Sequence, residues 1–338
     1  MKPIMAMLLA VGLIAAAPSA AKESFTETRV AVSGLKAKTE ILVDRWGVGH
    51  IFAGNSSDAF FAQGWNAARD RLWQMDLWRR TGLGELSAVL GEKYVAEDRA
   101  IRLFVYRGDM QQEWASYGPE AKNNTESFVA GVNAYVAAAR TDARLMPPEF
   151  ALAGYQPSFW KAEDVVRVRN HVIAFGLFLS AGRAEMACKD GSATTQLLPA
   201  VSPPWTPEVP QGLDFCSIPS NVLEQYNLGK GPIVFSKPEL ATAAQNLQNP
   251  KLSADSLGSI NGQGSNNWVV APSKSATGRP ILASDPHYYA SAPTPFYISH
   301  VSAPGLDFIG IGEPSVPDRK STRLNSSHKT VSRMPSSA

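Results

Sequence analysis

The sequence has little cysteine, little histidine and no excess of either charge, and each shortage excludes a class of function. Its two cysteines and five histidines, among 338 residues, occur at no zinc-ligand spacing such as HExxH, so no zinc site is predicted. The 32 basic and 30 acidic residues nearly cancel, which gives no reason to expect a nucleic acid or an anionic membrane as partner. A Gly-x-Ser-x-Gly motif is also missing. The usual sequence signals of a serine nucleophile are therefore absent.

The only strongly apolar run lies at the N-terminus. Lys2 precedes an apolar stretch over residues 4–17, and small residues follow at 18–21. This order is typical of a secretory signal peptide, and the run is shorter than the about 20 residues that a membrane-spanning helix needs. We predict a signal peptide over residues 1–21, no stable membrane anchor, and export to the periplasm or the medium. An uncut membrane anchor is the alternative.

The two cysteines fit the oxidising compartment that export implies. Cys188 and Cys216 could pair across a loop as one local disulfide. Two free thiols are the alternative, because the spacing alone does not decide between them.

Short alternating patterns predict strands in six places, and longer patterns predict helices. The predicted strands are Glu40–Asp44, His50–Ala53, Trp268–Ala271, Ile281–Ala283, Phe296–Val301 and Leu306–Ile311. A first helix is predicted from N-caps at Ser56 and Ser57 through Arg80, with Gly82 and Gly84 ending it. Its charges at Arg69, Asp70, Arg71, Arg79 and Arg80 are interpreted as a solvated face with internal ion pairs.

The spacing of apolar residues predicts two more helices downstream. One is predicted over residues 119–140, and another begins after Lys161. Their predicted inward positions are Phe128, Val132 and Tyr135 in the first, and Val165, Val168, Val172 and Phe175 in the second.

Two stretches of the chain show neither the helix nor the strand periodicity of apolar residues. Residues 241–264 are rich in Asn, Gln, Ser and Gly and predict a linker or removable spacer. From about Asp318 onward the chain is basic, Ser-rich and aperiodic, and it resembles translated vector sequence rather than a folded element. A genuine basic tail is the alternative.

Gly264 and Ser265 stand where the spacer gives way to a predicted strand. If the chain were cut between them, Ser265 would gain a free α-amine, which titrates at about 7.7–8.0 against about 10.4 for lysine. Such an amine can take the proton of the hydroxyl, so that one residue is both nucleophile and base. The flexible Gly264 would let the hydroxyl attack the preceding carbonyl. By itself, however, a Gly-Ser pair is typical of an ordinary linker.

The surroundings of Ser265 carry a more specific signal. The distinctive segments are Gly264-Ser-Asn-Asn-Trp-Val-Val270, Ser275–Ala283, Asp285-Pro-His287, Phe296-Tyr297, His300, Pro304-Gly305 and Glu313-Pro314, and upstream Asp44–Ala53, Ala67–Arg80, Tyr155–Trp160 and Asp164-Val165. In this order they closely resemble the penicillin acylase family, which includes acyl-homoserine-lactone and cephalosporin acylases. The resemblance covers roughly residues 36–317.

This resemblance implies an α+β fold, the four-layer αββα core of N-terminal nucleophile hydrolases. It also implies an exported zymogen that its own serine splits into a smaller α chain and a larger β chain. The expected organisation is an α-chain region, largely helical, over residues 22–235, a spacer over 236–264, the start of the catalytic β chain over 265–317, and a foreign, unstructured tail over 318–338.

The resemblance also implies roles for individual residues. Ser265 would be the nucleophile, its freed α-amine the base, and Gly264-Ser265 the cleavage site. His287 would supply a backbone N–H to the oxyanion, and Tyr288 would face the acyl group. Glu185 would supply a carboxylate to one structural calcium ion, with no organic cofactor.

The expected activity is hydrolysis of carbon–nitrogen bonds other than peptide bonds, in a β-lactam antibiotic or an N-acyl homoserine lactone. The family's catalytic chain continues far beyond Pro317, so the resemblance implies C-terminal truncation and loss of an oxyanion donor. Loss of one such donor costs about 10²–10³ in rate, so the chain as given is expected to be inactive. A non-catalytic exported fragment, or a decayed family member, is the alternative.

Overall fold

The structure, a computed structural model, describes residues 26–168, 175–191, 194, 211–229, 233, 235, 265–286 and 293–317. The predicted signal peptide, the predicted spacer over 236–264 and the predicted tail lie outside these residues, so the predicted domain boundaries stay predictions.

The chain divides into two compact units, Met1–Val32 and Ser33–Ala338. The described part of the first unit holds an exposed ion pair between Arg29 and Glu27. The elements below all belong to the second unit.

The described strands form two sheets. They are β1 (Glu40–Val43), β2 (Gly49–Phe52), β3 (Ser265–Val270), β4 (Ile281–Pro286), β5 (Tyr297–Ala303) and β6 (Leu306–Gly312). One sheet has the order β1-β2-β5-β6, and β3 pairs with β4 in a hairpin. Strands β2 and β5 are parallel, whereas the other pairs are antiparallel. All six predicted strands are present, but β3 begins three residues before the predicted start and β4 ends three residues after the predicted end.

Nine α-helices lie within the described residues. They are α1 (Ser56–Leu83), α2 (Ser87–Leu90), α3 (Val95–Arg102), α4 (Met110–Ser116), α5 (Ala121–Thr141), α6 (Pro148–Ala153), α7 (Ala162–Arg167), α8 (Phe175–Asp190) and α9 (Glu224–Gly229). The expected α+β class is confirmed. Helix α1 packs on β2 and β5 and is covered on its other side by α5.

The ends of α1 differ in part from the prediction. The N-cap is Asn55, whose side-chain oxygen accepts the backbone N–H of Asp58 at 2.9 Å. The predicted caps Ser56 and Ser57 already lie inside the helix, because the amide oxygen one residue earlier satisfies the first free N–H. Gly84 ends the helix in the left-handed region, with φ of +66°, as only glycine does at little cost. The other predicted stop glycine, Gly82, lies inside α1.

The core between α1 and α5 depends on two glycines that let the backbones approach closely. A Cβ added to Gly64 would lie 2.8 Å from the carbonyl carbon of Phe128 on α5. A Cβ added to Gly131 would lie 2.8 Å from the carbonyl carbon of Phe61 on α1. The predicted inward residues of α5 are fully or nearly fully buried there: Phe128, Val132 and Tyr135.

The helix predicted after Lys161 is shorter than expected. It ends at Arg167 as α7, with Val168 as its C-cap, and α8 begins at Phe175. Val165 and Val168 are buried as predicted. Val172 lies outside the described residues.

The charges at the end of α1 are buried, and their interpretation as a solvated face is wrong. Arg79 and Arg80 are only 7% and 5% exposed. Arg80 pairs with Asp76 one turn earlier, at 2.7 Å, and Arg79 pairs with Asp164 of α7 at 2.8 Å. Asp70, by contrast, is exposed and pairs with Arg69. A buried guanidinium requires such a carboxylate, because an unpaired charge is costly to desolvate.

Removing the carboxylate of Asp76 should therefore destabilise the protein strongly. We expect Asp76→Ala to lower the free energy of unfolding by about 3–5 kcal/mol, because it leaves the Arg80 charge buried without its carboxylate. The matched control is Glu126→Ala, which breaks another i,i+4 pair, with Lys122, whose side chains are 53% and 55% exposed. Urea unfolding of both variants should show a large loss for the first only. Equal losses would contradict the role given to Asp76.

The cysteines form a disulfide, which settles the alternative that their spacing left open. Cys188 of α8 is bonded to Cys216, with Cα atoms 5.0 Å apart and a sequence separation of 28. The bond ties the segment before α9 to α8. Such a bond fits the exported location expected from the N-terminus.

Candidate functional site

The predicted nucleophile, Ser265, is the first residue of β3. Its Cα is paired with that of Pro286, the last residue of β4. Gly264, His287 and Tyr288 lie outside the described residues. The register thus brings Ser265 opposite Pro286, the residue that precedes the predicted oxyanion residue His287 in sequence.

The register of this hairpin follows from its turn. Gly278 has φ of +67°, and its N–H donates to the carbonyl of Ser275 at 3.1 Å. From that turn the antiparallel pairing runs without a bulge from Val270 and Ile281 to Ser265 and Pro286. A slip of one residue would turn every side chain to the opposite face. The turn therefore determines which residue of β4 faces Ser265.

The predicted cut lies immediately before the first paired residue. Every pairing of β3, from Ser265 onward, is downstream of the Gly264-Ser265 bond. Breaking that bond would remove no pair of the hairpin. The predicted cleavage is thus compatible with retention of the strand that carries the nucleophile.

Helix α1 carries a row of polar side chains that the sequence interpretation missed. Gln63, Asn66, Asp70 and Gln74, spaced by three or four residues, form what we call the α1 polar row. Gln63, Asn66 and Gln74 are 4%, 0% and 2% exposed. Spacing of three and four residues is the signal of one helix face, but polar residues at that spacing normally indicate solvent. Only their burial distinguishes them from a solvated face.

Two histidines from distant parts of the sequence meet on the other face of the sheet. His50 of β2 and His300 of β5 are register partners, with Nδ1 atoms 3.1 Å apart. The Nε2 of His50 lies 3.4 Å from Asp44, and the Nε2 of His300 lies 3.0 Å from Asp307. These contacts link the segments before and after the predicted cut on the face opposite to α1.

Glu185 does not form a metal site with the residues that the structure describes. Its carboxylate pairs with Lys189 at 2.6 Å on exposed α8. No group of three or more His, Cys, Asp or Glu residues in the described ranges is placed to hold a metal ion. The described residues near Glu185 thus do not fit a calcium ion, and calcium stays a prediction. Within the same ranges, no helix has the length and apolar character needed to cross a bilayer.

The sequence is similar to a family and to several characterised proteins. The family model described as penicillin amidase matches residues 38–318. Penicillin acylase 2 proenzyme of Pseudomonas sp. (strain SE83) is 31% identical over 302 residues, which is 85% of this chain and 35% of that protein. Acyl-homoserine lactone acylase QuiP of Pseudomonas aeruginosa is 27% identical over 290 residues, or 85% of this chain and 32% of that protein.

Two further matches have lower sequence identity. Penicillin G acylase of Escherichia coli is 24% identical over 305 residues, covering 81% of this chain and 36% of that protein. A solved structure of thermostable penicillin G acylase from Alcaligenes faecalis matches 51% of this chain and 98% of that chain, with 25% identity and a TM-score of 0.40. The chain spans about a third of the length of the curated relatives it matches.

Proposed function

This chain belongs to the penicillin amidase family, and we propose that it is part of an exported acylase that hydrolyses the amide of an N-acylated small molecule. The expected family resemblance over residues 36–317 is confirmed. The observation that carries the proposal is the place of Ser265, at the first position of β3 and opposite the residue that precedes His287.

The first proposed reaction is cleavage of the precursor. The Ser265 hydroxyl attacks the carbonyl carbon of Gly264, the peptide nitrogen leaves as the Ser265 α-amine, and an ester joins Gly264 to the Ser265 oxygen. Water then hydrolyses this ester and returns the hydroxyl. The product is a new chain that begins at Ser265, with nucleophile and amine on the same residue.

The second proposed reaction is hydrolysis of the substrate amide. The α-amine of Ser265 accepts the hydroxyl proton while the oxygen attacks the acyl carbon. The N–H of His287 donates to the negative oxygen of the tetrahedral intermediate. The amine of the substrate takes a proton and leaves, and water then releases the acid from the acyl-enzyme.

The substrate class is proposed from the relatives together with the predicted site. Those relatives are named as acylases of penicillin and of acyl-homoserine lactone. In both classes of compound the acyl group is carried by a nitrogen attached to a small ring, and Tyr288 is proposed to face that acyl group. A periplasmic or secreted location completes the proposal.

A substrate panel tests the proposed activity on the full-length protein. The panel contains long-chain N-acyl homoserine lactones and phenylacetyl amides of β-lactams, and the assay measures released amine. We expect hydrolysis of at least one class, and rapid quenching should trap the acyl mass on the chain that begins at Ser265. An acyl group on any other residue, or a cut protein that hydrolyses neither class, would contradict the proposal.

A further inference from the structure

The α1 polar row and the hydrogen-bond partners described here lie on opposite sides of the predicted cut. The helix lies upstream of Gly264-Ser265, and the partners described below all lie between Thr294 and Ser299, downstream of it. In the uncut chain the row is an internal contact. Once the chain is cut, the same row becomes part of an interface between two separate chains.

The amide side chains of the row make specific hydrogen bonds to that segment. The Nε2 of Gln63 donates to the hydroxyl of Ser299 at 3.3 Å. The Nε2 of Gln74 donates to the backbone carbonyl of Thr294 at 3.1 Å. Because both glutamines are almost fully buried, each bond is made where water cannot replace it without opening the interface.

Tyr297 contacts the middle of the row, and its hydroxyl both accepts and donates a hydrogen bond. The hydroxyl accepts from the Nδ2 of Asn66 and donates to the Oδ2 of Asp70 at 2.7 Å. Burial, together with the nearby Asp70 carboxylate, raises the pKa of Tyr297 well above its usual range. The phenol therefore remains protonated, and remains a donor to Asp70, across the physiological pH range.

The order of the row matches the order of its partners. Along α1 the partners run in reverse order, from Ser299 at Gln63 to Thr294 at Gln74. Helix α1 has a non-helical residue, Arg71, between the two glutamines, and Thr294 lies before the first residue of β5. The row therefore fits the particular course of both segments, and its hydrogen bonds form together in the observed register.

We propose that the α1 polar row is the docking surface that fixes the register of the downstream chain, beginning at Ser265, on the upstream chain after cleavage. The parallel pairing of β2 with β5 adds backbone bonds across the same boundary, including Ala53 N–H to Ser302 oxygen at 3.0 Å. Backbone bonds alone are the same at every register. The polar row, together with the buried Val301 and Phe308, favours one register. This inference rests on the proposed function, because that function supplies the cut.

The test is the separation of the two chains of the cut full-length protein. Tyr297→Phe removes the hydroxyl and leaves Asn66 and Asp70 without it, whereas the aromatic ring stays. We expect cleavage to proceed and the two chains to dissociate at lower urea in size-exclusion chromatography. The dissociation constant should rise about 10- to 100-fold, as expected for the loss of hydrogen bonds that include a charged acceptor.

The matched control is another buried tyrosine whose contacts stay within the upstream chain. Tyr135 is 4% exposed, and its hydroxyl donates to the carbonyl of Leu145 at 3.0 Å. Tyr135→Phe should lower the thermal midpoint without changing chain separation. Equal weakening in both variants, or none in Tyr297→Phe, would overturn the inference.

If the full-length protein is not cut at all, the proposed cleavage fails, and the docking surface must be tested separately. In that case a protease site placed within residues 241–264 supplies the cut, and the same separation is measured. Weaker association of the Tyr297→Phe chains alone would then support the docking surface without the proposed cleavage. Unchanged association would overturn it.

Discussion

Ser265→Ala should leave the full-length protein as one uncut and inactive chain. The substitution removes the hydroxyl that the proposal uses twice, first on the Gly264 carbonyl and then on the substrate. It leaves the backbone of β3 unchanged, so the pairing with Pro286 and the fold should persist. Loss of activity should reach the detection limit, because no second nucleophile is assigned to either reaction.

Gel electrophoresis and N-terminal sequencing measure this outcome directly. The wild-type protein should yield a chain that begins Ser-Asn-Asn-Trp, and Ser265→Ala should yield none. The matched control is Ser273→Ala, which removes the hydroxyl of an exposed residue in the connection between β3 and β4. That variant should be cut and active. A Ser265→Ala protein that is cut at the same bond, or that hydrolyses amides, would show that another group is the nucleophile.

Much of the fold was predictable because its signals are local. The strands are short alternating runs, and the turn at Gly278 follows from a Thr-Gly pair in the sequence. The apolar period of residues 119–140 predicted which side of α5 is buried, and Phe128 and Val132 are fully buried. Each of these signals lies within a few residues of the structure that it predicts.

The missed features depend on partners that are distant in sequence. Arg79 looks solvated in its own helix, but it is buried and pairs with Asp164, 85 residues later, as well as with the nearby Glu85. In the sequence, the α1 polar row resembles a solvent-exposed helix face. In the folded structure, Tyr297 and Thr294 cover it. Pairing of Cys188 with Cys216 could be stated only as one of two alternatives. Local periodicity gives the orientation of a side chain, whereas tertiary contact determines what that side chain meets.

The proposed nucleophile is an intermediate case. Ser265 was predicted from a local segment, because its flanking residues resemble a family. Its relation to β4 was not predictable from that segment alone, since it depends on the turn length between the two strands. The register therefore adds a spatial reason for a role that the resemblance had only implied.

Gly131→Ala should prevent the protein from folding, although alanine is the better helix former. In a free helix the change would add about 1 kcal/mol of stability. Here the new Cβ would lie 2.8 Å from the carbonyl carbon of Phe61 and 2.9 Å from the backbone nitrogen of Trp65, and closer still to the Phe61 oxygen. These atoms belong to the backbone of α1, so none can rotate away. The two helices would have to separate along their whole contact.

That separation would open the core that α1 and α5 share, and no compensating contact is available. We expect a loss of about 5 kcal/mol or more, which approaches the total stability of many domains. The matched control is Ala130→Gly, the exposed neighbour on α5, which should cost only the helix propensity of about 1 kcal/mol. Circular dichroism during urea unfolding measures both. A Gly131→Ala protein at least as stable as wild type would mean that propensity outweighs packing, and that α1 and α5 do not approach this closely.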